Sequence, residues 1–269
     1  MFFLCLLCNI KNKSMNTTNN LGFIDCQIQN KIATITFSHP ASNSFPTHLL
    51  KEITKTLNTI SENNSVSVVV LKSEGNGAFC AGASFDELLL INNLEEGKTF
   101  FSGFADVINA MRTCNKIIIG RVQGKAVGGG VGLVSACDYV FATNNASIKL
   151  SELAIGIGPF VIEPVVSRKI GKTATTQLTL AAHDWKTPQW AFEKGLYSEI
   201  FASTDEMDIA LADFCLKLAS YNPEALQEMK KVFWENTSHW CTLLYDRAAI
   251  SGHLVLSDFT KNALNQLKK

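Results

Sequence analysis

Apolar and polar positions along this chain alternate between two spacings. Residues 22–28 (GFIDCQI) and 31–37 (KIATITF) read as two short strands around Gln29-Asn30, which predicts a hairpin. His39-Pro40 breaks the second strand. From Thr47, Leu49, Leu50, Ile53, Leu57 and Ile60 recur at helical spacing until Asn63-Asn64-Ser65 ends the helix. Val66 to Leu71 is a continuous run rich in β-branched residues, as expected of a strand buried on both faces of a parallel sheet. The alternation then repeats. A loop at Glu74–Gly77 and a turn of small residues from Phe79 to Ser84 lead to a helix over Leu94 to Thr113. A second buried strand runs from Lys116 to Val122, a glycine-rich then helical segment from Gly128 to Cys137, and a strand from Tyr139 to Ala142. Strands alternating with helices predict βαβ units and an α/β core. Beyond about residue 200, segments 205–220, 223–236 and 239–251 all read as helices, with no strong strand.

Composition narrows the class. With 269 residues, 46% of them hydrophobic and 18% charged, the chain is an ordinary globular protein able to bury a core without staples. Lys+Arg and Asp+Glu number 24 each. Zero net charge excludes a strongly basic nucleic-acid binder as the default, although it leaves room for a local cationic pocket. The eight cysteines are scattered through apolar stretches of a long chain, which points to reduced thiols and a cytoplasmic protein. Cys5 and Cys8 have CxxC spacing without a second pair. Met1 to Ile10 is apolar but shorter than the roughly 20 residues a bilayer span needs, and it lacks the basic start of a signal peptide. Residues 1–14 are read as a start-site extension or a disordered arm. The chain is divided into a disordered N-terminal extension at 1–20, an α/β core at 21–200 and a helical segment at 201–269.

Several familiar motifs are absent. Gly171-Lys172-Thr173 lacks the glycine a P-loop needs five residues earlier, where Val166 stands. The glycines at 128, 129, 130 and 132 do not complete G-x-G-x-x-G. The histidines 39, 48, 183, 239 and 253 have no ligand spacing and are read as surface or capping residues, so no metal is expected. Two turns of small residues remain, Phe79-Cys80-Ala81-Gly82-Ala83-Ser84 and Gly124-Lys125-Ala126-Val127-Gly128-Gly129-Gly130-Val131-Gly132. The second follows a buried strand and opens a helix. Its N–H groups lack helical partners and suit an anionic oxygen, although tight helix–strand packing would use the same glycines. About twenty residues on, Glu152 stands in an otherwise apolar stretch (Ile148 to Pro159), where its pKa should rise toward the range of proton transfer, although taken alone it reads better as a surface glutamate at a strand end.

The order F-x-A-G-A, then G-x-A-x-G-G-G opening a helix that ends Ala136-Cys137-Asp138, then the Glu152 segment, resembles the enoyl-CoA hydratase/isomerase (crotonase) family over about residues 22–265. The resemblance implies a ββα spiral with a helical C-terminal trimerisation segment, and a homotrimer or hexamer. It implies no permanently bound cofactor, coenzyme A as part of the thioester substrate, and neither nucleic acid nor membrane as partner. By position, the N–H groups of Ala83 and Gly129 would form the oxyanion hole, and Glu152 would be the proton-exchanging carboxylate. Ala81, Gly82, Ser84, Gly128, Gly132 and Lys125 would line the substrate. Hydratases of the family carry a first glutamate where this chain has Gly132. The single carboxylate, with Leu150-Ser151-Glu152-Leu153 and Glu163 to Gly171, resembles the branch that includes 3-methylglutaconyl-CoA hydratases of leucine breakdown and the dehydratases of polyketide β-branching. Ser84 or Glu163 could assist the lone carboxylate, and Lys125 or Arg168 could meet the substrate's distal carboxylate. A Δ3,Δ2-enoyl-CoA isomerase and a non-catalytic acyl-CoA-binding paralogue are the alternatives.

Overall fold

Residues 21–267 are described by the computed structural model; the extension 1–20, with Cys5 and Cys8, lies outside them. Strands β1 (Phe23–Gln29) and β2 (Ile32–Ser38) form the expected antiparallel hairpin. Its turn is Asn30-Lys31, one residue later than the sequence suggests. Both residues have positive φ, 52° and 64°, the geometry whose twist matches that of paired strands.

Then follow α1 (Thr47–Glu62), β3 (Val68–Ser73), α2 (Phe85–Leu88), α3 (Leu94–Thr113), β4 (Ile117–Val122), β5 (Ala126–Val127), α4 (Gly129–Ala136), β6 (Tyr139–Thr143) and β7 (Ile148–Lys149). A 3₁₀ turn at Glu152–Ile155 leads to α5 (Glu163–Leu180), α6 (Pro188–Glu193), β8 (Glu199–Phe201), α7 (Thr204–Ala219), α8 (Pro223–Phe233), α9 (Trp240–Leu254) and α10 (Asp258–Leu267). The main sheet has the order β1-β2-β3-β4-β6-β8 and is parallel from β2 onward. β5 and β7 form a separate parallel pair.

The consecutive apolar residues Val68–Leu71 of β3 and Ile117–Ile119 of β4 are explained by the two faces they serve. Val69, Leu71 and Ile118 pack into the large core beneath α1, α3 and α4. Their alternates Val68, Val70, Ile117 and Ile119 meet Phe141 and, from α7, Met207, Leu211 and Cys215. Period-two geometry thus requires hydrophobicity at every position of a doubly covered strand. β8 is the element the sequence pattern misses near residue 200. Its three half-buried residues at the sheet edge are too few to show a period. Helix α5 was legible only as a motif, because it is kinked at Gly171 (φ 78°) and polar residues interrupt its apolar face.

Besides α7 on the sheet, two contacts fasten the C-terminal helices closely to the core. α9 lies against α3 so closely that a Cβ on Gly97 would sit 2.8 Å from the Gly252 Cα. Just before β6, the Asp138 carboxylate accepts from the Ile118 N–H (2.8 Å), the Lys230 ammonium (2.6 Å) and the Trp234 indole N–H (2.8 Å). Lys169 donates to the carbonyls of Cys137 (2.8 Å) and Asp138 (3.1 Å), the end of α4. The Lys230 and Asp138 side chains are 2% and 5% exposed. Removing the carboxylate would leave a buried cation and two N–H groups without partners. Asp138→Ala should therefore cost about 3–5 kcal/mol, measured by denaturant unfolding. Cys26, Cys80, Cys114, Cys137, Cys215 and Cys241 are all free thiols. No described helix is long and apolar enough to cross a membrane.

Candidate active site

The two glycine-containing turns are held side by side by backbone hydrogen bonds. Phe79 N–H donates to Lys125 O, and Val127 N–H to Cys80 O, both at 2.9 Å. On its other side the first turn is clamped to Phe45, which donates to Gly82 O (2.8 Å) and accepts from Ser84 N–H (3.1 Å). Between these anchors the Ala83 N–H has no acceptor among the described residues, and neither has the N–H of Gly129, the first residue of α4. Both residues border one cavity of about 680 Å³. Unpaired N–H groups at the start of a helix form an anion-binding concavity, reinforced by the helix dipole.

Gly128 precedes α4 at φ 53°, ψ −120°, a conformation restricted to glycine. Its N–H donates to Lys149 O at 3.0 Å, which brings β7 and the following Ser151-Glu152 against the turn. A Cβ on Gly128 would stand 2.9 Å from Glu152 Oε1, so the glycine makes room for the carboxylate. Glu152 opens the 3₁₀ turn, whose carbonyl accepts from Ile157 N–H at 3.0 Å. The residue as a whole is half-buried, but its Oε2 is shielded from solvent and has no hydrogen-bond partner among the described residues. It is the surroundings of the carboxylate that set its proton affinity. Loss of hydration raises its pKa from 4.5 to about 7, against a smaller lowering effect from its own backbone N–H.

Ala81, Gly82, Ala83, Gly128, Gly129 and Glu152 are brought to this cavity, as the sequence suggests. The other site residues lie elsewhere. Ser84 is buried as the cap of α2, accepting from Glu87 N–H at 3.3 Å, and is not at the cavity wall. Gly132 is buried inside α4, where a Cβ would meet Ile162 Cγ2 at 2.5 Å. Ile162, not a carboxylate, faces the cavity there. Gly132→Glu alone should destabilise the fold by more than about 3 kcal/mol, through overpacking and burial of an unpaired charge. Adding Ile162→Ala should recover part of that loss in thermal unfolding.

Glu163 is engaged with Ser167 (2.6 Å) and Lys172. Arg168 stacks on Trp234, 3.9 Å from the ring centroid, and donates to the Phe233 carbonyl. Neither residue borders the cavity. Lys125 also stays outside its wall, with its ammonium 4.8 Å from the ring centroid of Trp185. Trp185 does border the cavity, as does Lys149, whose ammonium lies 4.7 Å from the same centroid. Lys149, Trp185 and the rim residue His183 were not legible as site residues, because the chain positions that meet there are far apart. Much of the remaining lining is aromatic and aliphatic: Phe100, Phe101 and Phe104 of α3, Phe85 and Leu88 of α2, and Ile157. Such a cavity can hold an apolar chain with one oxygen at the paired N–H groups and one carbon beside a carboxylate poised near neutrality.

The sequence pattern of the family described as enoyl-CoA hydratase/isomerase matches residues 27–249. Bacillaene synthase dehydratase PksH of Bacillus subtilis is 32% identical over 220 residues, 80% of this chain and 82% of its own. The crystal structure of PksH superposes with a TM-score of 0.82, covering 93% of this chain and 98% of that one at 25% identity. An enoyl-CoA hydratase structure from Bacillus halodurans shares the fold at 20% identity, with a TM-score of 0.84 over 90% of this chain and 99% of that one. Mouse mitochondrial methylglutaconyl-CoA hydratase is 30% identical over 169 residues, 62% of this chain and 53% of that protein. With a crotonase-type fold and a family pattern running through nearly all of the described chain, this protein belongs to the enoyl-CoA hydratase/isomerase family.

Proposed function

We propose that this enzyme adds water to, or removes it from, the double bond of an enoyl thioester, with Glu152 as its sole acid–base carboxylate. The observation that carries this is the Glu152 carboxylate itself, desolvated, with an unpartnered oxygen and a pKa of about 7 beside the start of α4. The thioester oxygen is held by the N–H groups of Ala83 and Gly129. These donors strengthen as the oxygen gains enolate charge, each contributing about 3 kcal/mol to the transition state. With both protonation states populated near neutrality, Glu152 can take a proton from water and return it to the α-carbon.

In its most specific form the substrate is 3-methylglutaconyl-CoA, hydrated to 3-hydroxy-3-methylglutaryl-CoA or formed from it. The single carboxylate supports that form, as does the likeness to a mouse enzyme named for this substrate and to a dehydratase of Bacillus subtilis. Among the described residues Lys149 is the one lysine or arginine at the cavity wall available to the distal carboxylate. A second reading, Δ3,Δ2-enoyl-CoA isomerisation, is favoured by Ile162 filling the space beside Gly132, since one carboxylate suffices to move one proton between carbons. Trimers or hexamers belong to the same proposal, and the exposed Met229, Val232 and Phe233 of α8 would suit such contacts.

Assays of the purified protein on 3-methylglutaconyl-CoA, crotonyl-CoA and 3-hexenoyl-CoA separate these readings. Hydration of the first is expected. Double-bond migration in the last without hydration of the others would establish the isomerase. Binding of all three without turnover would leave an acyl-CoA-binding protein.

A further inference from the structure

Two N–H groups stabilise one oxygen only when both are aimed at it, so the spacing of the two turns matters as much as the donors. One side chain touches both turns. Cys80 is fully buried, and its Sγ accepts from the Gly82 N–H at 3.3 Å. That N–H makes no other hydrogen bond among the described residues. On the second turn, Gly130 is packed against the same side chain. A Cβ at Gly130 would stand 2.9 Å from Cys80 Cβ and 3.1 Å from its Sγ. Gly82 is joined covalently to Ala83, and Gly130 to Gly129. Each contact of the Cys80 side chain therefore adjoins one of the two free donors in the chain.

The turns meet closely at this point. Gly82 has φ 89°, and a Cβ on it would lie 3.0 Å from Val127 O and 3.4 Å from Gly129 N. On its far side the first turn is held by Ser42 and Phe45, which accept from Ala81 N–H (3.1 Å) and donate to Gly82 O (2.8 Å) respectively. The Gly82 N–H is the one that precedes the Ala83 donor, and the thiol is its acceptor. Burial pushes that thiol up to about 12, so it stays neutral. A thiolate here would oppose charge developing on a nearby oxygen, whereas a neutral sulfur accepts weakly without doing so. A separate observation marks this place as one that a ligand enters. Glu152 Oε2 is buried without a partner, and its Oε1 would be 2.9 Å from a Cβ on Gly128, the neighbour of Gly129.

We propose that Cys80 is a positioning residue for the oxyanion hole: its thiol, bonded to the Gly82 N–H and packed on Gly130, sets the separation and aim of the Ala83 and Gly129 donors. The inference rests on reading those two N–H groups as the donors to the thioester oxygen, as above. Cys80 does not border the cavity, so it acts through the backbone and takes no part in proton transfer.

The test reads the donors directly. Infrared difference spectroscopy of the intact enzyme with [1-¹³C]butyryl-CoA reports the stretch of the bound thioester carbonyl, which well-aimed donors lower relative to the free thioester. Cys80→Ala should lose most of that lowering. Its kcat should fall about 10-fold, less than the roughly 10²-fold of a 1 Å misplacement, with KM within about twofold. The fall should be the same for water addition and for exchange of the α-protons of butyryl-CoA in D₂O, since both pass through the enolate. Cys80→Ser, which keeps an acceptor, should recover most of the lowering and bring kcat within about threefold of wild type. If Cys80→Ala does not fold, Cys80→Val, which fills the space without an acceptor, takes its place with the same expectations. A variant without the acceptor that melts earlier but keeps the wild-type carbonyl stretch would reduce Cys80 to packing and overturn the proposal. A serine variant as impaired as the alanine variant would overturn it too. If wild type binds butyryl-CoA without lowering its carbonyl stretch, the donor reading of Ala83 and Gly129 fails and takes this role with it. A lowering present in wild type and unchanged in Cys80→Ala overturns this role alone.

Discussion

Glu152→Gln should lower turnover about 10³-fold while leaving thioester affinity within a few-fold, since the amide keeps the shape of the carboxylate but cannot exchange protons. Steady-state kinetics paired with calorimetric binding of a saturated thioester would show it. Near-normal rates in the variant would remove Glu152 from the mechanism. The pH profile supplies a second readout. With a carboxyl that titrates at about 7, kcat/KM for water addition should rise with pH to a plateau above neutrality, and that limb should be missing from any residual activity of the variant.

The same raised pKa has an opposite effect on stability. Between pH 4.5 and about 7 the folded chain retains a proton that the unfolded chain has lost, so Glu152 makes folding less favourable as pH rises through that window. The penalty is absent below 4.5 and complete above about 7. Glu152→Gln should therefore be more stable than wild type at pH 8, by up to about 3 kcal/mol, and no more stable at pH 4. Gain of stability with loss of rate is what a carboxylate held dry for chemistry should show.

Gly129→Val is expected to have the second-largest effect, a fall in kcat of about 10²- to 10³-fold. The N–H of residue 129 would still be present, but its position would not. A Cβ here would fall 2.3 Å from two ring carbons of Phe104. That ring is 5% exposed and packed edge-on against Phe45, 6.4 Å between centroids, so it has little room to retreat. The first turn of α4 would have to move, carrying the donor away from the substrate oxygen. Adding Phe104→Leu should restore part of the rate if displacement of the helix start is the cause. Circular dichroism and thermal unfolding of both variants would confirm that a folded enzyme is being compared.

How much of this was legible beforehand depended on whether the signal was local. The boundaries of α3 are those read from its 3.6-residue period, and the runs at β3 and β4 were recognisable as doubly covered strands. The shift of the hairpin turn to Asn30-Lys31 was a matter of backbone φ, which a Gln-Asn-Lys run does not declare. Within the site, the glycine turns and Glu152 announce themselves because each must satisfy a strict local requirement: no Cβ near the carboxylate, and no competing acceptor at the helix start. Cations carry no such mark. Lys125, Arg168 and Lys149 are equivalent in a sequence, and only folding stacks Arg168 on Trp234 while bringing Lys149 to the cavity.

By itself, then, the sequence determined the α/β alternation and the two glycine-containing turns, while the role of Glu152 and the carboxylate missing at position 132 were what the family resemblance implied. These are properties of short windows, set by side-chain period, glycine geometry and residue identity. Only the tertiary structure decided that Ile162 closes the space beside Gly132 and that Lys149 and Trp185 form one edge of the cavity. Those are contacts between segments separated by tens of residues. Their outcome depends on how closely helices pack, as at Gly97 and Gly252, and packing distance is a property of the assembled core.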